Sequence, residues 1–133
     1  PRPMLSSNDL NFSFSGLKTH VVREIEKIEL DDKIIAEISY DFQEAIIDIL
    51  IHKSIFAAKM FDVPRIAVSG GVSANTRLRE RFKKESQDID VFFPSLEFST
   101  DNGAMIAYLG YLKSNETTAN NLKIQPSPTS SVF

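Results

Sequence analysis

Hydrophobic positions in this chain recur with two periods, and the switches between them mark its elements. Apolar residues return at Leu17, Val21, Val22, Ile25 and Ile28. That spacing predicts an amphipathic helix over 16–29, capped by Ser15. Just before it, Asn11-Phe12-Ser13-Phe14-Ser15 alternates polar and aromatic. Alternation predicts a short strand with both rings on one face, ended by Gly16. Residues 1–9 read as an irregular lead-in. Asp31 and Asp32 then open the longest element, in which Ile35, Ile38, Phe42, Ala45, Ile46, Ile49, Ile55, Phe56 and Met60 keep returning. They predict about 30 residues of helix, about 45 Å long at about 1.5 Å per residue. Residues 39–41 are the place for a kink or break. The Ile-rich stripe reads as core, with docking of a partner helix as the alternative.

In the second half the period shortens. Residues 65–68 form an apolar strand, preceded by Pro64 where a missing backbone donor matters least. Gly70-Gly71 ends it, and a helical pattern follows with Ser73 or Asn75 as cap. Leu78 and Phe82, four apart, face inward, while Arg77, Arg79, Arg81, Lys83 and Lys84 point elsewhere. Residues 90–93 form a second apolar strand stopped by Pro94, and 95–99 a loop. Thr100 or Asp101 then caps a last helix that reaches Leu112. The small residues Gly103, Ala104 and Ala107 suit close approach to another backbone. From Ser114 the chain turns to Asn, Thr, Ser and Pro, which predicts a disordered tail over 114–133.

Composition narrows the classes. At 133 residues with 42% hydrophobic and 25% charged positions, the chain is of globular type and one-domain size. A net charge of −3 gives no global basic field, so any nucleic-acid contact must be local. The absence of Cys removes disulfides, thiolate catalysis and Cys-based zinc sites. No apolar run approaches the roughly 18 residues of a membrane span, and no signal peptide is evident, so no membrane partner is expected and a cytoplasmic setting is the default. The chain opens Pro1-Arg2-Pro3-Met4 and is expected to be a piece of a longer protein.

Two stretches carry candidate chemistry. Gly70 and Gly71 are the only adjacent pair among five glycines, between strand and helix. Glycine permits positive φ and lets a ligand approach the backbone, and the helix behind aims free N–H groups at the turn. An anion or a nucleotide edge is one reading; an ordinary βα turn is the other. The stretch lacks the Gly-Lys-Ser/Thr of a Walker A loop and the third glycine of the dinucleotide fingerprint. Arg77, Arg81 and Lys84 share a helix face, either solvated or turned toward RNA phosphate.

Three stretches occur together in order: Phe12-Ser13-Phe14-Ser15-Gly16-Leu17-Lys18-Thr19, Ser69-Gly70-Gly71-Val72-Ser73-Ala74-Asn75, and Ser99-Thr100-Asp101-Asn102-Gly103-Ala104-Met105-Ile106-Ala107. The set closely resembles the C-terminal lobe of the TsaD family, the tRNA threonylcarbamoyladenosine biosynthesis proteins once described as O-sialoglycoprotein endopeptidases. The Phe-Ser-Phe-Ser form is similar to the bacterial and organellar branch. The resemblance covers 1–113. It implies an α/β fold: the helix-rich C-terminal lobe of an actin/Hsp70/sugar-kinase-like (ASKHA, RNase H-like) two-lobe ATPase.

The resemblance also implies roles. Gly70, Gly71, Ser73 and Asn75 would meet the nucleotide, ATP or threonylcarbamoyl-AMP, with Asn75 reaching the adenylate. Asp101 would be one ligand of a divalent metal, iron or zinc; a plain helix cap is its alternative. The family draws two further ligands from a His-x-x-x-His pair in the first lobe, and His20 and His52 form no such pair. The intact protein would transfer threonylcarbamoyl from threonylcarbamoyl-AMP to adenosine 37 of ANN-decoding tRNAs, working with tRNA, the paralogue TsaB and the ATPase TsaE. This piece alone would be inactive. Two rivals stand beside that reading. One is a partner- or nucleotide-binding lobe without catalysis. The other is a metalloprotease, which needs a motif such as His-Glu-x-x-His that this chain lacks.

Overall fold

A computed structural model describes residues 1–116. The architecture is built on one long helix, α2 (Asp32–Met60), 29 residues without Gly or Pro. It runs unbroken through residues 39–41, because nothing in that stretch removes a helical hydrogen bond. Asp31 caps it, its carboxylate accepting the Ile34 N–H at 2.7 Å.

The helix before it, α1 (Ser15–Ile25), is shorter than its apolar pattern, which continues to Ile28. Ser15 is its first residue and not its cap; Phe14 occupies the cap position without a side-chain bond. The segment ahead is no strand. Phe12 and Phe14 instead stack on each other, centroids 6.1 Å apart. Alternation placed both rings on one side, but among the described residues no second strand lies beside them to complete a ladder.

Residues 1–11 are tied to α2 by Lys53. Its side chain is 1% exposed, and its ammonium donates to the Ser7 carbonyl (2.9 Å), the Ser7 hydroxyl (2.7 Å) and the Asp9 carbonyl (2.5 Å). The Asp9 carboxylate lies 3.5 Å away. These acceptors use all three ammonium donors, as a buried charge requires.

Strands β1 (Arg65–Ala67) and β2 (Asp90–Phe92) pair in parallel, Ile66 opposite Val91. The ladder runs on at both ends, through Asp90 N–H to the Pro64 carbonyl (3.0 Å) and Val68 N–H to the Phe92 carbonyl (2.9 Å). A 3₁₀ turn, Gly71–Ala74, and helix α3 (Thr76–Glu85) connect them. Leu78 and Phe82 of α3 are buried as their spacing predicts, against Ile47 and Ile51 of α2. Phe93 closes this core edge-on to Phe82 at 5.8 Å.

The α2 core differs from the single stripe of the sequence. Ile47 and Ile51 face α3 and the sheet, while Ala45 and Ile49 are buried on the other flank. Residues two apart lie on opposite sides of a helix, so a helix packed on two sides loses its one-stripe signature. Ile35 and Met60, at its ends, are exposed.

Helix α4 (Gly103–Leu112) buries none of its residues. The close packing expected of Gly103, Ala104 and Ala107 does not occur among the described residues; a Cβ on Gly103 would meet no atom within 4 Å. Ser114–Glu116 add a 3₁₀ turn where the sequence predicted tail; the rest of that predicted tail lies outside the described residues. No described helix is long and apolar enough to cross a membrane.

Candidate functional site

The carboxyl ends of β1 and β2 open on the same side, into a cleft of about 520 Å³. Parallel strands present their C-terminal ends together, and this edge is where open α/β sheets take ligands. Ser69 and Gly70 form one wall, after β1. Ser99, Thr100 and Asp101 form another. Phe92, Phe98 and Met105 supply apolar surface between them. The fold therefore brings Gly70 and Asp101, from two of the three diagnostic stretches, into one cleft.

The other predicted contacts do not reach its lining. Gly71 starts the 3₁₀ turn, and the positive φ belongs to Gly70 alone of the two, at +87° with ψ 171°. The α-helix does not start at the glycines. A 3₁₀ turn that begins at Gly71 and runs to Ala74 comes first, so the N–H groups of α3 are set back from the glycine pair. Ser73 is 0% exposed, and its hydroxyl has no hydrogen-bond partner among the described residues. Asn75 is the true cap of α3: Oδ1 accepts the Leu78 N–H at 2.9 Å, and Nδ2 donates to Gln43 Oε1 at 2.8 Å. Both ends of that amide are engaged, which holds it between α2 and α3.

Asp101 is exposed and takes no hydrogen bond or ion pair among the described residues. Neither it nor Thr100 caps α4. Asn102 does, accepting the Met105 N–H at 3.0 Å. The cap alternative for Asp101 is thereby removed, and its carboxylate is left open to the cleft. An anionic oxygen donor suits a hard or borderline divalent cation. It fits as one ligand of several: among the described residues, no group of three His, Cys, Asp or Glu side chains could hold a metal ion. His20 on α1 and His52 on α2 lie outside the cleft lining.

Arg77 and Arg81 form an ion-pair seam between α3 and α2. Arg77 binds Glu44 through Nε (2.7 Å) and Nη2 (3.2 Å). Arg81 reaches Asp48 (2.5 Å), Glu44 (3.2 Å) and Glu85 (2.6 Å), and Arg2 also binds Asp48. Both arginines spend their charge inside the molecule, so the face is not simply solvated, and a phosphate would compete with these carboxylates for them. Lys84 is exposed and makes no ion pair among the described residues.

The hydrogen bond from Arg77 holds the Glu44 carboxyl below its usual range, against the opposing effect of burial. Burial is the largest influence on Asp48 and pushes its carboxyl up, but hydrogen bonds from Arg2 and Arg81, with their charges, bring it below. Folded values below unfolded ones mean that the seam's stabilisation is complete at neutral pH. It is lost as pH falls through the ordinary carboxylate range toward the folded values. In the full-length protein, Tm is expected to drop more steeply on acidification for wild type than for Glu44→Gln, whose amide does not titrate. Parallel curves would show that Glu44 contributes nothing to this dependence.

Sequence reasoning missed Arg79, grouped by its type with the outward bases. Its guanidinium turns inward and joins the turn after Gly70 to the segment ahead of Asp101. Its place at i+4 from the α3 cap was the available signal, but two of its three partners, Pro94 and Ser99, come from much later in the chain.

Helices on a parallel pair of strands, with a cleft at the strand ends, make the chain an α/β fragment. The model of the family described as TsaD: tRNA N6-adenosine threonylcarbamoyltransferase matches residues 1–108, and the chain belongs to that family. The tRNA N6-adenosine threonylcarbamoyltransferase of Nitrosomonas europaea is 50% identical over 115 residues, covering 85% of this chain and 34% of that protein. The protein of the same name from Sulfurihydrogenibium sp. is 47% identical over 118 residues, covering 87% and 34%. That from Buchnera aphidicola is 44% identical over 135 residues, covering 99% and 40%. The chain thus spans about a third of the length of the curated relatives it matches.

Proposed function

We propose that this chain is the second lobe, residues 1–113, of a two-lobed ASKHA-type enzyme. The intact protein would transfer threonylcarbamoyl from threonylcarbamoyl-AMP to the N6 amine of adenosine 37 in ANN-decoding tRNAs. The observation that carries the reading is the shared cleft. Gly70 presents backbone without a Cβ, beside an open Asp101 carboxylate and an apolar wall. That combination suits a nucleotide whose flat base needs apolar contact and whose activated group needs a cation.

Within that scheme Gly70 lets the adenosine side approach the backbone. Phe92, Phe98 and Met105 offer surface that excludes water from the base. Asp101 contributes one oxygen ligand to a divalent cation, iron or zinc, with the remaining ligands from the first lobe. When bound, the cation would polarise and orient the donor anhydride. Aligning donor and amine needs both lobes, because much of the gain in such a transfer comes from holding the reactants in register. This lobe by itself is therefore inactive. The partners that go with the reading are tRNA, a TsaB-type paralogue and a TsaE-type ATPase.

The test supplies full-length protein with threonine, bicarbonate, ATP, the adenylate-forming enzyme, the two partners and unmodified tRNA, and measures threonylcarbamoyladenosine by mass. Product is expected from the full-length protein and none from residues 1–133 alone. No product from the full-length protein would leave only a binding lobe. Product from the isolated piece would refute the two-lobe scheme.

A further inference from the structure

Arg79 is the side chain on which the two walls of the cleft meet. Its Nε–H donates to the Ser73 carbonyl at 2.6 Å. Nη2 donates to the Pro94 carbonyl at 2.7 Å and to the Ser99 hydroxyl at 3.1 Å. The guanidinium carbon lies 4.9 Å from the centroid of the Phe93 ring, near enough for a cation–π contact. Each partner belongs to a different segment. Ser73 lies in the 3₁₀ turn after Gly70, Pro94 at the exit of β2, and Ser99 just ahead of Asp101.

The links continue outward on both sides. The Ser73 N–H donates to the Gly70 carbonyl at 2.9 Å, and the Ser99 hydroxyl donates to the Ser95 carbonyl at 3.1 Å. Ser99 is 2% exposed, so the joint is protected from competing water. Between Gly70 and the Asp101 segment there is thus a continuous path of three hydrogen bonds with Arg79 at its centre. The ladder between β1 and β2 fixes the strands but not the two loops that leave them. A guanidinium spreads its donors over separate nitrogens in a rigid planar fork, so it spans acceptors on different segments in fixed directions, whereas the donors of an ammonium radiate from one rotatable nitrogen. Arg79 does not itself line the cleft.

We propose that Arg79 is the positioning residue that sets the Gly70 turn against the Asp101 carboxylate, and so governs metal retention and donor alignment in the intact enzyme. The inference rests on the reading of the cleft given above and adds to it the residue that builds the cleft. Arg79 touches neither nucleotide nor metal; it acts through Ser73, Pro94 and Ser99.

The experiment uses the full-length protein in five forms: wild type, Arg79→Lys, Ser99→Ala, Asp101→Asn and Leu17→Ala. Leu17 is buried on α1, outside this cleft, and its truncation supplies a loss of Tm with the site untouched. Metal content, Tm, kcat and KM for tRNA are measured on each. Arg79→Lys is expected to lose about 10- to 100-fold in metal affinity and kcat, as removal of a group that orients a metal ligand does. KM for tRNA is expected to stay near wild type. Ser99→Ala removes one of three links in a nearly isosteric change and is expected to show the same pattern, smaller, with little change in Tm. Leu17→Ala is expected to keep metal and kcat despite a lower Tm.

Arg79→Lys and Ser99→Ala with wild-type metal content and kcat would overturn the proposal. So would a loss in Leu17→Ala equal to that of Arg79→Lys at the same Tm. The Asp101→Asn control separates the two levels. If it loses metal while the Arg79 and Ser99 variants do not, only the positioning role fails. If Asp101→Asn keeps metal and activity, the reading of the cleft fails and takes Arg79 with it.

Discussion

Asp101→Asn in the intact protein is expected to give a folded enzyme that retains little metal and transfers threonylcarbamoyl about a hundredfold or more slowly. The estimate follows from a cation's charge stabilisation being worth several kcal/mol, with about 1.4 kcal/mol to each factor of ten. The substitution keeps the size of the side chain and removes only its charge. It does not touch a helix cap, because Asn102 holds that position. Nor does it break a hydrogen bond or ion pair, since the Asp101 carboxylate makes none among the described residues. A stability cost is therefore not expected, and Tm should stay near wild type. Elemental analysis beside the transfer assay decides the matter. Wild-type metal content with wild-type activity would make Asp101 an ordinary surface residue.

The second large effect is expected at Gly70 and not at its neighbour. Gly70, at φ +87° and ψ 171°, lies in a region essentially closed to residues with a Cβ. Gly71 lies outside the positive-φ range. No atom stands within 4 Å of a Cβ built on either. The difference between them is therefore one of backbone energy and not of crowding. Gly70→Val is expected to cost about 1–3 kcal/mol, or to shift the turn to escape that strain. Either result moves the wall of the cleft and, on the function proposed above, is expected to lower affinity for the adenylate donor. Gly71→Val should fold nearly as wild type. Thermal melts and donor titrations on the two full-length variants test this; equal melting temperatures would mean that the turn relaxes freely around either side chain.

The local features of the fold were legible because their causes are local. α2 opens at Asp31 and Asp32, Asn75 is one of the two caps that the sequence offered for α3, and Leu78 and Phe82 face inward, each decided by residues within one turn of helix. The strand–glycine–helix order was likewise readable from the switch in period. Locally ambiguous signals failed. Phe12 and Phe14 alternate like a strand, but a strand needs a partner, and here the rings stack. Thr100, Asp101 and Asn102 are all good caps by type. Which one takes the Met105 N–H depends on the backbone entering α4, and Asn102 takes it.

The candidate site divides in the same way. Gly70 and Asp101 could be singled out from their motifs, but no local pattern puts them together. Parallel pairing of β1 with β2 does so, by bringing both strand ends to one edge. Charge type misled for the same reason. Arg77, Arg79 and Arg81 look alike in the sequence, yet Arg77 and Arg81 reach back to Glu44 and Asp48 on α2 while Arg79 reaches forward to Pro94 and Ser99.

The sequence by itself thus determined the long helix, the strand–turn–helix unit, the inward pair on α3 and the membership of a family. Each is written in spacing or in short motifs. Only the tertiary structure decided which carboxylate stays open to the cleft, which glycine bears the strained backbone and which arginine joins its walls. Those are settled by contacts between residues far apart in the chain, where a side chain's partner depends on how the elements pack and not on its neighbours in sequence.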